Sequence, residues 1–289
     1  MIVKVLLVYA HPNPKSLNAQ LKDHAVAGLL HRGHEVLVSD LYAMKWKAVA
    51  DGDDFPDRDP GFPLDYGVAS GEAYRAGKQA MDIAEEQKKL VWADTVIFQF
   101  PLWWFGMPAI LKGWVDRVYA LGFAYGIGQH GHDKWGERFG EGTLQGKRAM
   151  ICATIGGRAA QYGPRGINGQ IDDILWPIHH GILFYPGMTV MPPTLFYEVR
   201  RADADVVRDF CQHYENRLLS LMEEEPIPFR TQNGGDYDGH QTLKPALEGD
   251  SKGLLMHQRS PYYHSNIQLT RDSDFSVLHF APDSRSSNR

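Results

Sequence analysis

The chain has 289 residues, of which 43% are hydrophobic and 22% charged, a composition that supports a packed globular core and excludes a disordered or fibrous protein. Its formal net charge of −5, with acids and bases interspersed, argues against a nucleic-acid surface and a polybasic membrane anchor, and no apolar run reaches membrane-spanning length. The two cysteines, Cys152 in an expected strand and Cys211 in an expected helix, cannot build a disulfide framework or a metal cluster, so a cytoplasmic protein is expected.

The apolar run Ile2 to Tyr9 carries Lys4 and is too short for a secretory signal core, so residues 3–9 read as the first strand. AHPNPKSLNAQL follows, with Ser16 as the expected N-cap of a helix whose Leu17, Leu21, Ala25 and Leu29 share one face until Gly33 closes it. His11, Ser16 and Asn18 offer side-chain donors beside helix N–H groups that favour an anion, so a phosphate fits there. An ordinary capping role for Ser16 fits as well. No GxGxxG follows the strand and no GxxxxGKS or GxxxxGKT occurs, which argues against a dinucleotide Rossmann domain and an NTPase.

A second strand is expected at 35–39, and residues 42–76, rich in Asp, Gly and Pro, are too long for a connector and read as a cofactor-covering excursion. After a helix at about 77–92, residues 96–100 form an apolar run without alternation, as in a strand covered on both faces, and Pro101 ends it by removing a ladder donor. Trp103, Trp104 and Phe105 then occupy the loop at the strand's carboxyl end, before a helix at about 107–121 with Pro108 in its first turn. In open α/β sheets ligands bind at that edge, and two indoles can stack on a flat cofactor. They can equally pack against a neighbouring subunit, and the residues alone do not choose.

The fourth strand, 148–154, leads into ATIGGRAAQYGPRGINGQ, where Gly156 and Gly157 permit close backbone approach to a ligand and Tyr162 sits in the same loop. Beyond it lie a helix at about 168–184 that Pro177 should kink or split, a strand at 188–191 and a helix at about 202–223. Five strands separated by helices predict an α/β body over residues 1–224, a doubly wound parallel sheet of order 2-1-3-4-5. Residues 225–289 read as an extension that docks on it, with a last twenty or so of disordered-type composition, and His257, Tyr262, Tyr263 and His264 as candidates to cover the pocket or remain exposed. HGHD at His130 to Asp133 and the pair His179–His180 are weak metal candidates, because loop histidines are usually solvated and adjacent helical residues point about 100° apart; no metal is expected. No GxSxG elbow supports a serine hydrolase.

Through SLN near Ser16, SDLYAM at Ser39 to Met44, AEEQKKL at Ala84 to Leu90, FQFPLWWFGMPAILKGW, FAY at Phe123 to Tyr125, TIGG at Thr154 to Gly157 and ILWPIHHGIL at Ile174 to Leu183, the chain resembles the FAD-dependent NAD(P)H:quinone oxidoreductases of DT-diaphorase type, over roughly residues 1–225. The resemblance implies a flavodoxin-like fold, FAD rather than FMN, NAD(P)H as co-substrate, a homodimer, and ping-pong two-electron transfer to a quinone-like acceptor. By position it implies that His11, Leu17 and Asn18 contact the FAD phosphates. Pro101, Leu102, Trp103, Trp104 and Phe105, with Thr154, Ile155, Gly156 and Gly157, would wrap the isoalloxazine. Tyr162 matches the catalytic tyrosine, and Ala124, Tyr125 and Gly126 the substrate-side loop.

The departures bear on the substrate more than the cofactor. Asn168 stands for the histidine partnered with that tyrosine and cannot take up a proton, while Arg158 or Arg165 could supply compensating charge. Trp103 and Asp65 each replace a glutamine, Ile127 replaces a tyrosine, and Arg208 is one position from a family arginine near the adenine. Two rival readings follow: an azo- or nitro-compound reductase on the same flavin, and a flavin-bearing regulatory subunit that senses redox state, which Asn168 keeps open.

Overall fold

The computed structural model describes residues 2–131, 134–251 and 253–262. Its centre is a parallel sheet of β1 (Lys4–Tyr9), β2 (Glu35–Asp40), β3 (Thr95–Pro101), β6 (Arg148–Thr154), β7 (Thr189–Val190) and β8 (Thr194–Phe196). The spatial order is β2-β1-β3-β6, with β7 and β8 both pairing β6 at the far edge, so the flavodoxin-like order 2-1-3-4-5 is present with its fifth place shared. The expected continuous strand at 188–191 is replaced by two short ones because Pro192 and Pro193 lack the N–H groups a ladder needs. The edge is closed by other means: Ile227 N–H donates to the Val190 carbonyl at 2.9 Å and Arg217 Nη2 to that of Pro192 at 2.9 Å.

Alternate residues of the same strands feed two cores, as the period of two requires. Leu6, Val8, Val96, Phe98 and Ile151 face one side, under α3 (Met81–Trp92), α4 (Ala109–Val118) and α5 (Ile171–Ile178). Val5, Leu7, Tyr9, Ile97, Met150 and Cys152 face the other, under α1 (Leu17–His31) and α6 (Ala204–Ser220). All seven residues of β3 are buried, which explains its largely apolar, non-alternating text. Ser16 caps α1 as expected, its hydroxyl accepting from Ala19 N–H at 3.1 Å. Pro108 sits at the N-cap of α4 rather than inside its first turn.

Three expected boundaries move. The excursion at 42–76 is not wholly irregular, since α2 (Tyr66–Ala76) forms within it, capped by Asp65 and closed by Gly77 at φ 65°; the next helix, α3, accordingly starts at Met81 rather than 77. The expected helix at 168–184 begins at Ile171 and changes character after Pro177, continuing as a π-helical stretch over His179–Phe184. Proline's missing donor and its ring displace the regular hydrogen-bond pattern there. The segment after α6 packs on the body through Ile227 and Phe229, which join the α3–α4–α5 core, and Arg230 N–H bonds the His257 carbonyl at 2.9 Å. A hairpin of β4 (His130–Gly131) and β5 (Lys134–Trp135) precedes β6, while His132 and Asp133 of the HGHD string, Tyr263, His264 and the last twenty residues lie outside the described residues. No helix among the described residues is long and apolar enough to cross a membrane.

A buried charge cluster pins the excursion to the body. Asp54 accepts from Arg117 Nε at 3.0 Å, Tyr66 OH at 2.8 Å and Lys47 Nζ at 3.1 Å, and Arg117 also bonds Asp82 at 2.8 Å with its guanidinium 4.5 Å from the Trp46 ring centre. Burial alone would raise the Asp54 carboxyl, but bonds from Arg117, Tyr66 and Lys47 outweigh it and hold the group below the usual range. A carboxyl lowered in the folded state stabilises the fold above its unfolded pKa, and that contribution is lost as pH falls through the folded value. We predict that Arg117→Met, which leaves Asp54 buried and short of its strongest partner, costs roughly 3 to 5 kcal/mol in urea unfolding at neutral pH. The penalty should shrink as the pH drops below about 4, where the carboxyl is no longer obliged to carry charge.

Candidate functional site

Parallel pairing brings three strand ends to one rim. Tyr9 lies beside Gln99 and Pro101 beside Thr154, so the turns that leave β1, β3 and β6 emerge as neighbours. Ala10 N–H bonds the Gln99 carbonyl at 3.0 Å and Leu102 N–H that of Thr154 at 2.9 Å, which carries the pairing one residue beyond the strands.

Beneath the rim is a buried polar network. Gln99 Nε2 donates to the Asn18 carbonyl at 2.7 Å and to Asn18 Oδ1 at 2.9 Å; Asn18 Nδ2 donates to Thr154 Oγ1 at 2.8 Å; and Tyr214 OH on α6 donates to Gln99 Oε1 at 3.3 Å. The Asn18 side chain, 2% exposed, therefore serves the interior, and what the first turn of α1 presents outward is backbone. Leu17 and Asn18 contribute N–H groups that have no partner within a helix, and the helix dipole adds to their attraction for an anion. His11 lies beside this turn, its Nδ1 accepting from Asn13 N–H at 3.1 Å and its ring 6.2 Å from that of Trp103; burial holds its pKa below the usual histidine value, favouring the neutral ring.

The aromatic loop after β3 is a tight reversal. Trp103 N–H bonds the Gly106 carbonyl at 3.1 Å and Gly106 N–H returns to that of Trp103 at 3.0 Å, with Trp104 at φ 50° and Phe105 at φ 60°. Two successive positive φ angles make a type I′ turn, a geometry that Asn and Gly adopt readily and bulky aromatics do not. The turn holds Trp104 96% exposed and Phe105 50% exposed, with Trp103 at 41%. Backbone strain that drives indole into water is characteristic of functional positions. Leu102, half-buried, packs against the core beside it.

The turn after β6 supplies the other wall. Thr154 and Ile155 are buried; Gly156 has open space where a Cβ would stand, while a Cβ on Gly157 would lie 2.7 Å from Gln161 Oε1 and 3.0 Å from the Tyr162 ring. Gly157 is thus required for the 3₁₀ turn Ala159–Tyr162 to fold back over it. Tyr162 is 8% exposed, its ring 5.7 Å from that of Tyr197; burial raises its pKa and a hydrogen bond from Asn168 partly opposes that. Asn168 thus occupies the partner position beside Tyr162, and Asn168 N–H also bonds the Gln161 carbonyl at 3.0 Å. Arg158 is not an unopposed positive charge here, because it pairs with Glu198 at 3.4 Å, a carboxylate it shares with Arg201 at 3.2 Å.

Ala124, Tyr125 and Gly126 stand elsewhere in the chain. Tyr125's carbonyl accepts from Gly122 N–H at 2.7 Å, its hydroxyl reaches the start of α2 beside Gly67, and a Cβ on Gly126 would lie 2.2 Å from Leu121 Cδ1. Asp65 caps α2 through Val68 N–H, and Arg208 pairs with Asp205 on the exposed face of α6. Sequence reasoning missed Gln99, whose one signal was a lone amide inside VIFQF, and missed Tyr197 and Glu198, the latter at φ 54°, which no local pattern announces.

Comparison with known proteins gives a consistent group. A family model described as the flavodoxin-like fold matches residues 3–218. The chain is 49% identical over 268 residues to a ribosyldihydronicotinamide dehydrogenase-like protein of Penicillium crustosum, covering 92% of this chain and 99% of that one. It is 43% identical over 227 residues to the human ribosyldihydronicotinamide dehydrogenase (quinone), covering 78% and 94%. Among solved structures, one from Klebsiella pneumoniae described as a candidate quinone reductase superposes with a TM-score of 0.86 at 56% identity, covering 89% of this chain and 99% of that one.

The polar network makes a stability prediction. Gln99→Leu leaves the Asn18 amide oxygen without its donor in a dry site and should cost about 1 to 3 kcal/mol by chemical denaturation. Gln79→Leu, at a partly exposed amide pair, should cost less.

Proposed function

The chain belongs to the flavodoxin-like family that includes these quinone dehydrogenases, and on that premise we propose that it is a dihydronicotinamide:quinone oxidoreductase working through a bound flavin. The observation that carries this reading is the convergence on one rim of an anion-attracting helix start, a strained turn presenting indole, and a glycine turn beside a buried tyrosine. These residues suit a flavin: Leu17 and Asn18 N–H with Ser16 and His11 for phosphate, Pro101 to Phe105 for the flat ring, and Thr154 to Gly157 for its edge, where Gly156 leaves room for close approach. FAD is the flavin we assign, on the resemblance carried by the sequence motifs and the long excursion that follows β2.

A bound flavin would supply the two-electron chemistry, taking hydride from a dihydronicotinamide and passing it to a quinone in alternate half-reactions. The protein's part is position and charge. Tyr162, its pKa raised by burial, keeps its phenolic proton at neutral pH. Asn168 donates to the phenolic oxygen, which leaves the O–H free to point at negative charge developing over the rim. Such a bond accelerates reaction tenfold if it strengthens by about 1.4 kcal/mol in the transition state. The open rim excludes water poorly in one protomer, and Trp104 is almost wholly exposed, so we propose that a second copy covers it and brings its own Ala124–Gly126 loop. Residues 1–224 carry the flavin site in this reading, and the two buried, unpaired cysteines suit the cytoplasm.

Purified protein should be yellow, release FAD on denaturation and reduce a simple benzoquinone with NADH, NADPH or ribosyldihydronicotinamide; a colourless protein that takes up no flavin refutes the proposal. Tyr162→Phe should slow reduction of the bound flavin about tenfold in stopped flow without loss of flavin. Because neither Tyr162 nor Asn168 changes protonation near neutrality, that rate should be flat between about pH 6 and 9, whereas Asn168→His should introduce an inflection near about 6.5.

A further inference from the structure

The paired histidines of the sequence and the tail histidine His257 play no part at the rim, yet two of the three meet. His180 is sandwiched between Trp176 (ring centres 4.7 Å, 18°) and Phe139 (4.7 Å, 26°), and a second parallel pair, Tyr237 on His257 (5.9 Å, 12°), stands 6.3 Å away. Between the two stacks is a cavity of about 180 Å³ lined by Phe139, His180, Arg230, Tyr237, His257 and two glutamines, Gln232 and Gln241. Five of those seven linings come from the segment after α6, so the cavity exists only because that segment closes over the π-helical stretch.

We propose that this cavity is a second small-molecule site, for a single-ring aromatic carboxylate. Size comes first: an apolar cavity of roughly 150 Å³ is enough to hold benzene, so the space here takes one substituted ring and no more. Shape follows from the walls, since aromatic side chains on two sides, Phe139 and His180 on one and Tyr237 and His257 on the other, suit a flat guest. Charge sets the substituent. Asp236 receives both Arg230 Nη1 at 2.9 Å and Arg259 Nε at 3.7 Å, so two guanidinium groups face one carboxylate, and a third, Arg138, reaches Gln232 Oε1 at 2.5 Å and Gln241 Oε1. Burial lowers the pKa of His180 to about 4 and that of His257 as well, so both rings are neutral and can stack or donate without adding charge. Arg230 is the one charged residue of the lining itself, and a carboxylate on the guest answers its guanidinium.

The site is independent of the rim, and its test is separable from that of the flavin. Full-length protein as purified should bind benzoate saturably, one per chain, by calorimetry, with benzamide and cyclohexanecarboxylate each weaker. Arg230→Gln should weaken benzoate about tenfold, the usual loss for a hydrogen bond to a charged group, while quinone reduction and Trp104→Ala leave the benzoate affinity unaffected. Crystals soaked in 4-bromobenzoate give a reading that needs no variant: the bromine signal should lie between Phe139 and Tyr237. No saturation up to about 10 mM, equal affinity in Arg230→Gln, or bromine at the Trp103–Gly106 turn would each overturn the assignment.

Discussion

One amide in the middle of the sheet sets the relation among the three turns. Gln99 is the one amide in a buried central strand, and in a dry interior its donors and acceptor must all be matched or the strand is destabilised. It is matched by the first turn of α1 on one side and by Tyr214 of α6 on the other, while Asn18 passes the connection to Thr154 at the end of β6. The helix start that attracts anions and the strand end that precedes the two glycines are therefore held in a common register by hydrogen bonds short enough to resist displacement. A rim assembled from flexible turns alone would not hold several ligand-facing groups at once.

On that rigid base the aromatic turn stores strain. Trp104 and Phe105 occupy backbone conformations that cost of order 1 to 3 kcal/mol each, and Trp104 keeps an indole in water besides. The rest of the fold is well placed to bear this, since β3 is buried along its whole length and α4 begins soon after the turn. Ligand or partner contact that covers the indole recovers apolar burial without reshaping the loop, because the turn is already in its working geometry.

Much of this could be read directly. The non-alternating run of 96–100, the stop at Pro101 and the cap at Ser16 each have a local cause, so the strand, its end and the helix start were legible in a few residues. The order of the strands and the coincidence of three turns at one edge followed from the alternation of elements and the handedness of crossovers. What was not legible depends on pairs far apart in the chain. Asn18 looked outward in the sequence and is turned inward by Gln99 and Thr154; Arg158 looked available and is engaged by Glu198; and α2 was hidden in a stretch whose Asp54 and Tyr66 meet each other, and Arg117 of α4, only after folding. Pro192 and Pro193 were in plain view, but their effect on the expected last strand was not drawn.

That last edge has a further consequence. A bare outer strand normally offers a row of donors and acceptors to any passing chain and is the usual seed of sheet-to-sheet clumping. Here two neighbouring residues have no proton to offer, and the Val190 and Pro192 carbonyls are already occupied by Ile227 and the Arg217 guanidinium. Copies of this protein are thereby steered away from fusing their sheets along that border, which leaves the β2 edge on the far side as the sheet margin of the fold that still has strand groups to offer.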